Sequence, residues 1–378
     1  MLNAQPVAAV GLPLRAAPKY SSDAYAYSTH GGFAKTADST PRADNVHRLP
    51  SALRSASVNA ADRSAVANTL LITDAACDLP AEWLAANKVA VLPIKIHVDD
   101  WHLIDLHDEY DTLEFFRKDI ATKGMRAQSE PLSPLETRDF VQSNLRKEIN
   151  AVIEVAIASS RSKIYMNSLA AAQNLMLMHG RVRRNMGIHE PFKMWVVDSE
   201  TVFAGQGVLV AEAVRQLQAG MSAAKLAQHL DTLRHHVHTL VVPKDLFYLY
   251  SRAKIKGDNS VGWLTYNVGK MLDIKAVVHA YAGKTEPCMK VRGYDDAVKR
   301  VMDIAITKVR EGLITPIVTV SYAGNIDDVR ESASFVALES VCMRRGVTLH
   351  LSTMSMTGGL NVGAGALSIA FACQSLDV

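Results

Sequence analysis

The strongest constraint on the fold is a short apolar segment that ends abruptly in polar residues. Residues 194–197 are hydrophobic, with two β-branched valines, and the chain turns polar at Asp198 and Ser199. This pattern is typical of a buried strand that stops where a loop begins. Beyond a glycine-rich turn at 205–207, apolar residues recur with a helical period from 208 to 217. The segment predicts a strand–loop–helix unit of an open α/β sheet, in which ligands bind outside the carboxyl ends of strands.

Length and composition place the chain among globular proteins of about two domains. It has 378 residues, and a domain takes roughly 150 residues. Hydrophobic residues make up 48% of the chain and charged residues 21%, which allows sizeable cores. The formal net charge of +3 is too small to indicate binding to nucleic acid or to an anionic membrane surface.

The cysteines and the hydropathy pattern favour a cytoplasmic protein. The four cysteines are scattered without a Cys-x-x-Cys pair, which predicts reduced thiols and neither a disulfide framework nor a zinc site. No apolar run is long enough to cross a bilayer. Residues 1–14 lack the basic start and the apolar core of a secretory signal, so they are a poor candidate for one.

Residues 1–66 predict a largely disordered N-terminal extension. They are rich in Ala, Ser, Pro, Gly and Asp and show no sustained periodicity. Such a segment cannot bury enough apolar surface to offset its ordering entropy. Its role stays open between a targeting or partner-binding arm and a tolerated tail.

Residues 67–239 predict an α/β domain with a mainly parallel sheet flanked by helices. Hydrophobic strands alternate there with helices, which favours a parallel sheet covered on both faces. The segment 126–134 is polar and is interpreted as a loop. The predicted strands are 67–73, 89–97, 152–158 and 193–197, and the predicted helices follow Asp78 or cover 112–120, 135–149, 163–179 and 208–217.

Residues 240–378 predict a second, α+β domain with a mixed or antiparallel sheet. Two strands, at 274–280 and 286–291, are separated by a turn at Gly283, as expected of an antiparallel pair. Helices are predicted at 295–312 and 327–345, strands at 317–322 and 348–351, and a glycine-rich loop before a final segment at 366–372.

Five motifs occur in an order and spacing typical of one protein family. Residues 73–80 are similar to an opening Asp-Ser-x-x-Asp-Leu, and residues 128–131 to Thr-Ser-Gln-Pro. Residues 157–165 match Ile-Ser-Ser-x-x-Ser-Gly-Thr-Tyr, and residues 361–366 stand where His-x-Gly-Pro-Gly-Ala is usual. The Asp-Ser and Gly-Gln-Gly segments at 198–207 match best. From about residue 70 to residue 372, the chain resembles the DegV family of two-domain bacterial proteins that bind one fatty acid.

The resemblance implies a lipid carrier with no catalytic residue, cofactor or metal of its own. The expected ligand is one fatty acid or related acyl chain held between the two domains. Some family members present the fatty acid to a separate kinase, which phosphorylates its carboxylate, so such a kinase subunit is a candidate partner.

The chain departs from the family pattern at several positions, and some of these surround the ligand carboxylate in the family. Ala75 replaces a hydroxyl residue, Gln128 a threonine, Lys163-Ile164 a Gly-Thr pair, Arg252-Ala253-Lys254 a Gly-Gly-Arg triplet, and Asn361 a histidine.

A bound fatty acid needs an apolar tunnel and polar donors for its carboxylate. Each buried CH₂ contributes about 0.8 kcal/mol, and a desolvated carboxylate without donors is costly. Ser129 and Ser162 are the first candidates for these donors, because both match hydroxyl positions of the family's site. Asn361 is a candidate through its amide, and Gln128 and Lys163 complete the predicted ligand-binding set.

Each candidate also has a structural interpretation. Ser162 precedes a helical run and fits a cap, and Asn361 fits a turn beside glycines. A lysine in the first turn of a helix, such as Lys163, is ordinarily solvated. In the functional interpretation Lys163 pairs with an anionic head group and favours a phosphate or acyl phosphate over a plain carboxylate. A cap and a ligand contact are compatible at a helix N-terminus.

Other classes of function stay open. The main alternative is an enzyme that acts on a phosphorylated or carboxylated metabolite through Lys163, Lys254 and the glycine-rich stretch 358–365, which matches neither a dinucleotide fingerprint nor a P-loop. A third interpretation is a scaffold whose pocket is closed by Lys163 and Ile164.

Weaker catalytic and metal signals have simpler explanations. Ser160 and Lys163 fit a Ser-x-x-Lys nucleophile pattern that lacks its companion motifs. The histidines at 229–238 lack the spacing of a metal site. Asp74 and Asp198 follow strands, where loop hydrogen bonds explain them better than acid–base catalysis.

Overall fold

Three sheets form within residues 68–99, 101–120, 126–256 and 274–377, which a computed structural model describes. The predicted extension at 1–66 lies outside these residues. The strands are β1 (Thr69–Asp74), β2 (Val89–Leu92), β3 (Ile94–Val98), β4 (Trp101–Asp105), β5 (Ala127–Pro131), β6 (Ala151–Ala156), β7 (Lys193–Asp198), β8 (Val237–Val242), β9 (Ile274–Tyr281), β10 (Lys284–Arg292), β11 (Ile317–Tyr322), β12 (Thr348–Thr353) and β13 (Leu367–Ala372). The helices are α1 (Ala81–Ala86), α2 (Glu109–Arg117), α3 (Pro134–Asn144), α4 (Ile164–Asn185), α5 (Ala204–Gln218), α6 (Ala223–Leu233), α7 (Leu246–Lys256), α8 (Tyr294–Glu311), α9 (Asp327–Arg330), α10 (Ala333–Arg345) and α11 (Met356–Val362).

The first sheet is parallel throughout, with the strand order β2-β1-β6-β7. Successive residues of a strand point to opposite faces. Ile72 and Val152 therefore pack in one apolar cluster, with residues of α4, while Leu71 and Ile153 pack in another, with residues of α5 and α6. The predicted parallel sheet with helices on both faces is confirmed.

The second sheet has six strands in the order β10-β9-β8-β13-β11-β12. Its neighbours are antiparallel except for the parallel pair β11 and β12. The predicted mixed sheet is confirmed, including the hairpin that turns at Gly283. The proposed division between residues 239 and 240 falls inside β8, and the domain boundaries stay a prediction.

A third, antiparallel sheet of order β4-β3-β5 was not predicted. The interpretation of 126–134 as a loop was wrong, because β5 lies within it. The sequence of β5 is polar, and the strand forms because β3 supplies a pairing edge, a tertiary effect that local propensity does not contain. The predicted strand 89–97 is two strands broken at Pro93, whose missing N–H interrupts pairing.

Two further segments differ from the prediction near the carboxyl end. The glycine-rich stretch forms the short helix α11 rather than a loop, capped by Ser355, whose hydroxyl accepts from the Gly358 N–H at 3.0 Å. The predicted helix 327–345 is two helices, because Ser332 caps the second one by accepting from the Phe335 N–H. No helix of the described residues is long and apolar enough to cross a membrane.

Helix α5 lies between the parallel and the mixed sheets and contacts strands of both. It is buried over most of its length, as expected of a helix that is apolar on nearly all sides. Gly205, in its first turn, faces the hydroxyls of Thr201 and Thr239, which lie 2.8 Å apart. The missing side chain therefore sets how closely this helix approaches β8.

We expect Gly205→Ala to destabilise the protein by about 1–3 kcal/mol, because the added methyl group overlaps both threonine hydroxyls in a packed core. The matched control is Gly180→Ala on α4, where the nearest atom outside the helix backbone is 3.9 Å away. That change is expected to add about 0.5–1 kcal/mol of stability. Urea denaturation measures both, and a Gly205→Ala protein as stable as the wild type would contradict the packing argument.

Glu154 is a buried carboxyl group in the centre of the parallel sheet. Its Oε1 accepts a 2.6 Å hydrogen bond from Ser168, and its Oε2 has no partner within the described residues. Burial raises the pKa of Glu154 to about 8, against the opposing effect of the Ser168 hydrogen bond and with a contribution from the Asp74 carboxylate. The group is therefore protonated in the folded protein at neutral pH.

The raised pKa of Glu154 predicts a loss of stability with rising pH. The folded protein keeps a proton that the unfolded chain releases above about pH 4.5, so the free energy of unfolding falls from there to about pH 8. Glu154→Gln, which keeps the shape but cannot ionise, should remove the part of this fall between about pH 6 and pH 8 and be more stable than the wild type at pH 8. Urea denaturation across this range checks it, with the exposed Glu148→Gln as control. An unchanged slope in Glu154→Gln would refute the assignment.

Candidate functional site

A cavity of about 400 Å³ lies where the loops after β1 and β6 meet β5, α7, α11 and the mixed sheet. Its volume is within the range of pockets that enclose small ligands. The position agrees with the rule that ligands bind outside the carboxyl ends of parallel strands. Its wall is mainly apolar and includes Ala76, Ile94, Ile157, Ile164, Val202, Phe203, Val241, Leu249, Val278 and Val362.

Three of the five predicted ligand-binding residues line this cavity. Ser129 comes from β5, Ser162 from the loop before α4, and Asn361 from α11, so the fold brings together residues far apart in the sequence. Their ligand contacts stay a prediction. Further polar or charged lining residues are Ser160, Arg161, Arg252, Thr285 and Thr357.

The other two predicted residues, Gln128 and Lys163, are exposed and are not part of the cavity wall. Gln128 neighbours Ser129 on β5, and side chains alternate between the two faces of a strand. Lys163 stands at the start of α4, where its side chain is in solvent. In each of the pairs Gln128–Ser129 and Ser162–Lys163, therefore, only the serine lines the cavity, and its neighbour in sequence faces solvent.

The structural interpretation of Ser162 has a geometric basis, whereas Asn361 lies in helix α11 and not in the predicted turn. The Ser162 hydroxyl accepts from the Ile164 N–H at 3.3 Å, as a residue at the start of a helix does. The Asn361 amide donates to the Thr357 carbonyl at 2.7 Å, one turn earlier on α11. Both side chains therefore support a helix end while lining the cavity.

Asp74 connects the ends of the two central parallel strands. Its carboxylate accepts from the N–H groups of Ala76 at 3.0 Å and Ile157 at 2.7 Å, and from the Gln206 amide at 3.0 Å. Burial raises the pKa of Asp74 to about 6, although these hydrogen bonds oppose it. Gln206, from the Gly-Gln-Gly motif, also donates to the Val155 carbonyl at 3.1 Å. The motif therefore anchors the loops that carry Ala76 and Ile157 into the cavity wall.

Asp198 has a similar role in the next loop. Its Oδ1 accepts from the N–H groups of Ser159 and Glu200, both at 3.0 Å. The Ser160 hydroxyl donates to the Gly283 carbonyl at 2.7 Å, which connects this loop to the hairpin of β9 and β10. The hydrogen bonds of Asp74 and Asp198 are therefore those of loop-positioning residues.

Two buried carboxylates position α11: Asp78, which the sequence placed only ahead of a helix, and Asp105, which the sequence did not single out. Asp78 accepts from the Ser321 hydroxyl at 2.6 Å and the Ser355 N–H at 3.0 Å, and burial raises its pKa to about 6. Asp105 accepts from the Thr357 N–H at 2.8 Å. The N-terminal end of α11 is thus bound to residues more than 250 positions earlier.

Arg252 is a further cavity residue, noted in the sequence only as a departure from the family pattern. Its side chain is 3% exposed. The Nε donates to the Leu360 carbonyl at 3.1 Å, and the Nη2 donates to the Ala127 carbonyl. A sequence signal for this role is absent, because the position becomes internal only when α7 packs against β5 and α11.

The remaining sequence candidates do not form a site. Of the clustered histidines, His236 lies in a 3₁₀ turn, and His238 lies in β8 and contacts His279 at 3.0 Å. The described residues contain no group of three or more potential ligands arranged to hold a metal ion. The four cysteines are unpaired.

Comparison with known proteins identifies the family. The family model described as "Uncharacterised protein, DegV family" matches residues 68–374. The chain belongs to the DegV family. A DegV domain-containing protein of Xanthomonas campestris is 37% identical over 304 residues, covering 80% of this chain and 97% of that protein.

Solved structures of DegV proteins share the fold. A DegV lipid binding protein of Thermotoga maritima aligns with a TM-score of 0.62 and 17% identity, covering 82% of this chain and 99% of that one. A fatty acid-binding DegV family protein of Thermus thermophilus aligns with a TM-score of 0.61 and 18% identity, covering 81% and 100%. The predicted family and the predicted α/β fold, with its parallel and mixed sheets, are thereby confirmed.

Proposed function

We propose that this DegV protein binds one fatty acid, or a related acyl ligand, in the 400 Å³ cavity. The observation that carries the proposal is the wall itself, in which twelve apolar side chains outnumber eight that carry hydroxyl, amide or guanidinium groups. The apolar part suits an acyl chain, since each buried CH₂ contributes about 0.8 kcal/mol. The polar part suits a carboxylate, which must not be left unpaired when it is desolvated.

The ligands of related structures support the same class of ligand. A DegV family protein of Ruminococcus gnavus is described with vaccenic acid, and one of Eubacterium eligens is described as loaded with heptadecanoic acid. We infer that the present chain is a carrier with no catalytic residue of its own. Presentation of the carboxylate to a fatty acid kinase and a cytoplasmic location stay predictions, the latter resting on the cysteine pattern.

The enzyme alternative has less support. It relies on Lys163, Lys254 and a glycine-rich phosphate loop, but both lysines are exposed and neither lines the cavity. Residues 358–362 of the glycine-rich stretch lie in the helix α11, whose N–H groups at Thr357 and Gly358 bond to Asp105 and Ser355. These groups are therefore already paired within the protein.

Filling the cavity should abolish acyl binding. Val278 is a buried cavity residue, and Val278→Trp places a large ring in the space assigned to the acyl chain. We expect native mass spectrometry to detect a copurified fatty acid in the wild type and none in this variant. The matched control, Val336→Trp, changes an exposed residue and should keep the ligand. A wild-type protein that binds no fatty acid after delipidation and titration would refute the proposed function.

The two predicted hydroxyl donors should each contribute to affinity. A hydrogen bond to a charged group contributes about 1.5–3 kcal/mol, so Ser129→Ala and Ser162→Ala should each weaken fatty acid binding about tenfold or more in calorimetric titration. Ser160→Ala is the matched control, since its hydroxyl also lines the cavity but donates to the Gly283 carbonyl. Equal effects of all three substitutions would argue against specific head-group contacts by Ser129 and Ser162.

A further inference from the structure

Arg252 is a buried cation whose hydrogen bonds, within the described residues, go to two backbone carbonyls. These partners, the Leu360 and Ala127 carbonyls, accept from Nε and Nη2 and hold the guanidinium plane. The third nitrogen, Nη1, is buried and has no partner there. A buried guanidinium with a free N–H group is costly unless an anion or another acceptor meets it.

Thr357 presents a second buried donor to the same cavity. The residue is 5% exposed, and its Oγ1 is buried without a hydrogen-bond partner. Its backbone is held by the 2.8 Å bond from its N–H to Asp105, so the side chain has a defined position on α11. Within the described residues, Arg252 Nη1 has no hydrogen-bond partner, and the Thr357 hydroxyl has only the neighbouring Asp105 carboxylate close to it, so a ligand or a water molecule can pair with both groups.

We propose that Arg252 and Thr357 form a receptor for an anionic head group, which makes the protein selective for ionised acyl ligands over neutral ones of the same chain length. This inference rests on the proposed function. Arg252 stands where the family pattern has a glycine, so the receptor is a feature of this chain rather than of the family motif. It also compensates for positions such as Asn361, where the family's histidine is missing.

The chemistry of arginine explains the selectivity. Burial lowers the pKa of Arg252, yet a guanidinium remains charged at physiological pH. A carboxylate accepts from Nη1 with charge assistance, whereas an alcohol or ester leaves the buried cation without a counter-ion. A lysine ammonium cannot bond two fixed carbonyls and an anion in the same planar arrangement.

The test compares hexadecanoic acid with hexadecanol on delipidated protein, above the pKa of the free acid. The wild type should bind the acid about 10- to 100-fold more tightly than the alcohol, as expected for a hydrogen bond to a charged group. Arg252→Met should remove most of this preference by weakening acid binding while changing alcohol binding little. Arg252→Lys should restore only part of it.

A second substitution, Thr357→Val, tests the receptor even if the Arg252 variants fail to fold. It removes one hydroxyl without changing the shape of the side chain, and it should lower affinity for the acid about tenfold. Thr353→Val is its matched control, because the Thr353 hydroxyl is also buried, has no partner among the described residues and does not line the cavity. Thermal denaturation verifies that the variants are folded.

The outcomes separate this inference from the proposed function. If the wild type binds acid and alcohol equally, or if Arg252→Met and Thr357→Val weaken both ligands equally, the anion receptor is overturned while acyl binding stands. If the wild type binds neither ligand, the proposed function fails and the receptor with it. The receptor is supported if Arg252→Met and Thr357→Val lose the preference for the acid while the control Thr353→Val keeps it.

Discussion

Three buried carboxylates hold the loops of the cavity, and the geometry of the site depends on them. Asp74 joins the ends of β1 and β6, while Asp78, after β1, and Asp105, at the end of β4, hold the start of α11. Loops that enter a protein interior must pair their N–H groups, because an unpaired buried amide costs as much as a lost hydrogen bond. The three carboxylates pair the buried N–H groups of three segments, and these segments come together at one cavity.

Burying carboxylates is unfavourable in itself, as the raised pKa values of Asp74 and Asp78 show. The hydrogen bonds from N–H and O–H groups offset part of that cost, and they define direction, which hydrophobic packing does not. Packing places α5 between the sheets, and the polar contacts then determine how the loops around it are oriented. The result is an apolar space with a few directed donors, which is what a molecule with a long chain and a charged head requires.

The parts of the fold that could be predicted are those with a strong local pattern. The strands β1, β6, β7 and β11 are short apolar runs, and helices such as α8 have a clear period, so their type and approximate position follow from local sequence. The strand β5 and the helix α11 could not be predicted, because one is polar and the other rich in glycine. Each forms through contacts with elements that are distant in sequence.

The sequence by itself determined the family, the alternation of strands and helices, and the hydroxyl residues Ser129 and Ser162 as candidates. It could do so because hydrophobic periodicity and motif spacing are local properties of the chain. Only the tertiary structure decided which neighbours face inward, so that Ser129 lines the cavity and Gln128 does not. It also decided that Arg252 is buried and that its Nη1 has no hydrogen-bond partner among the described residues. Both properties depend on where α7, β5 and α11 come together.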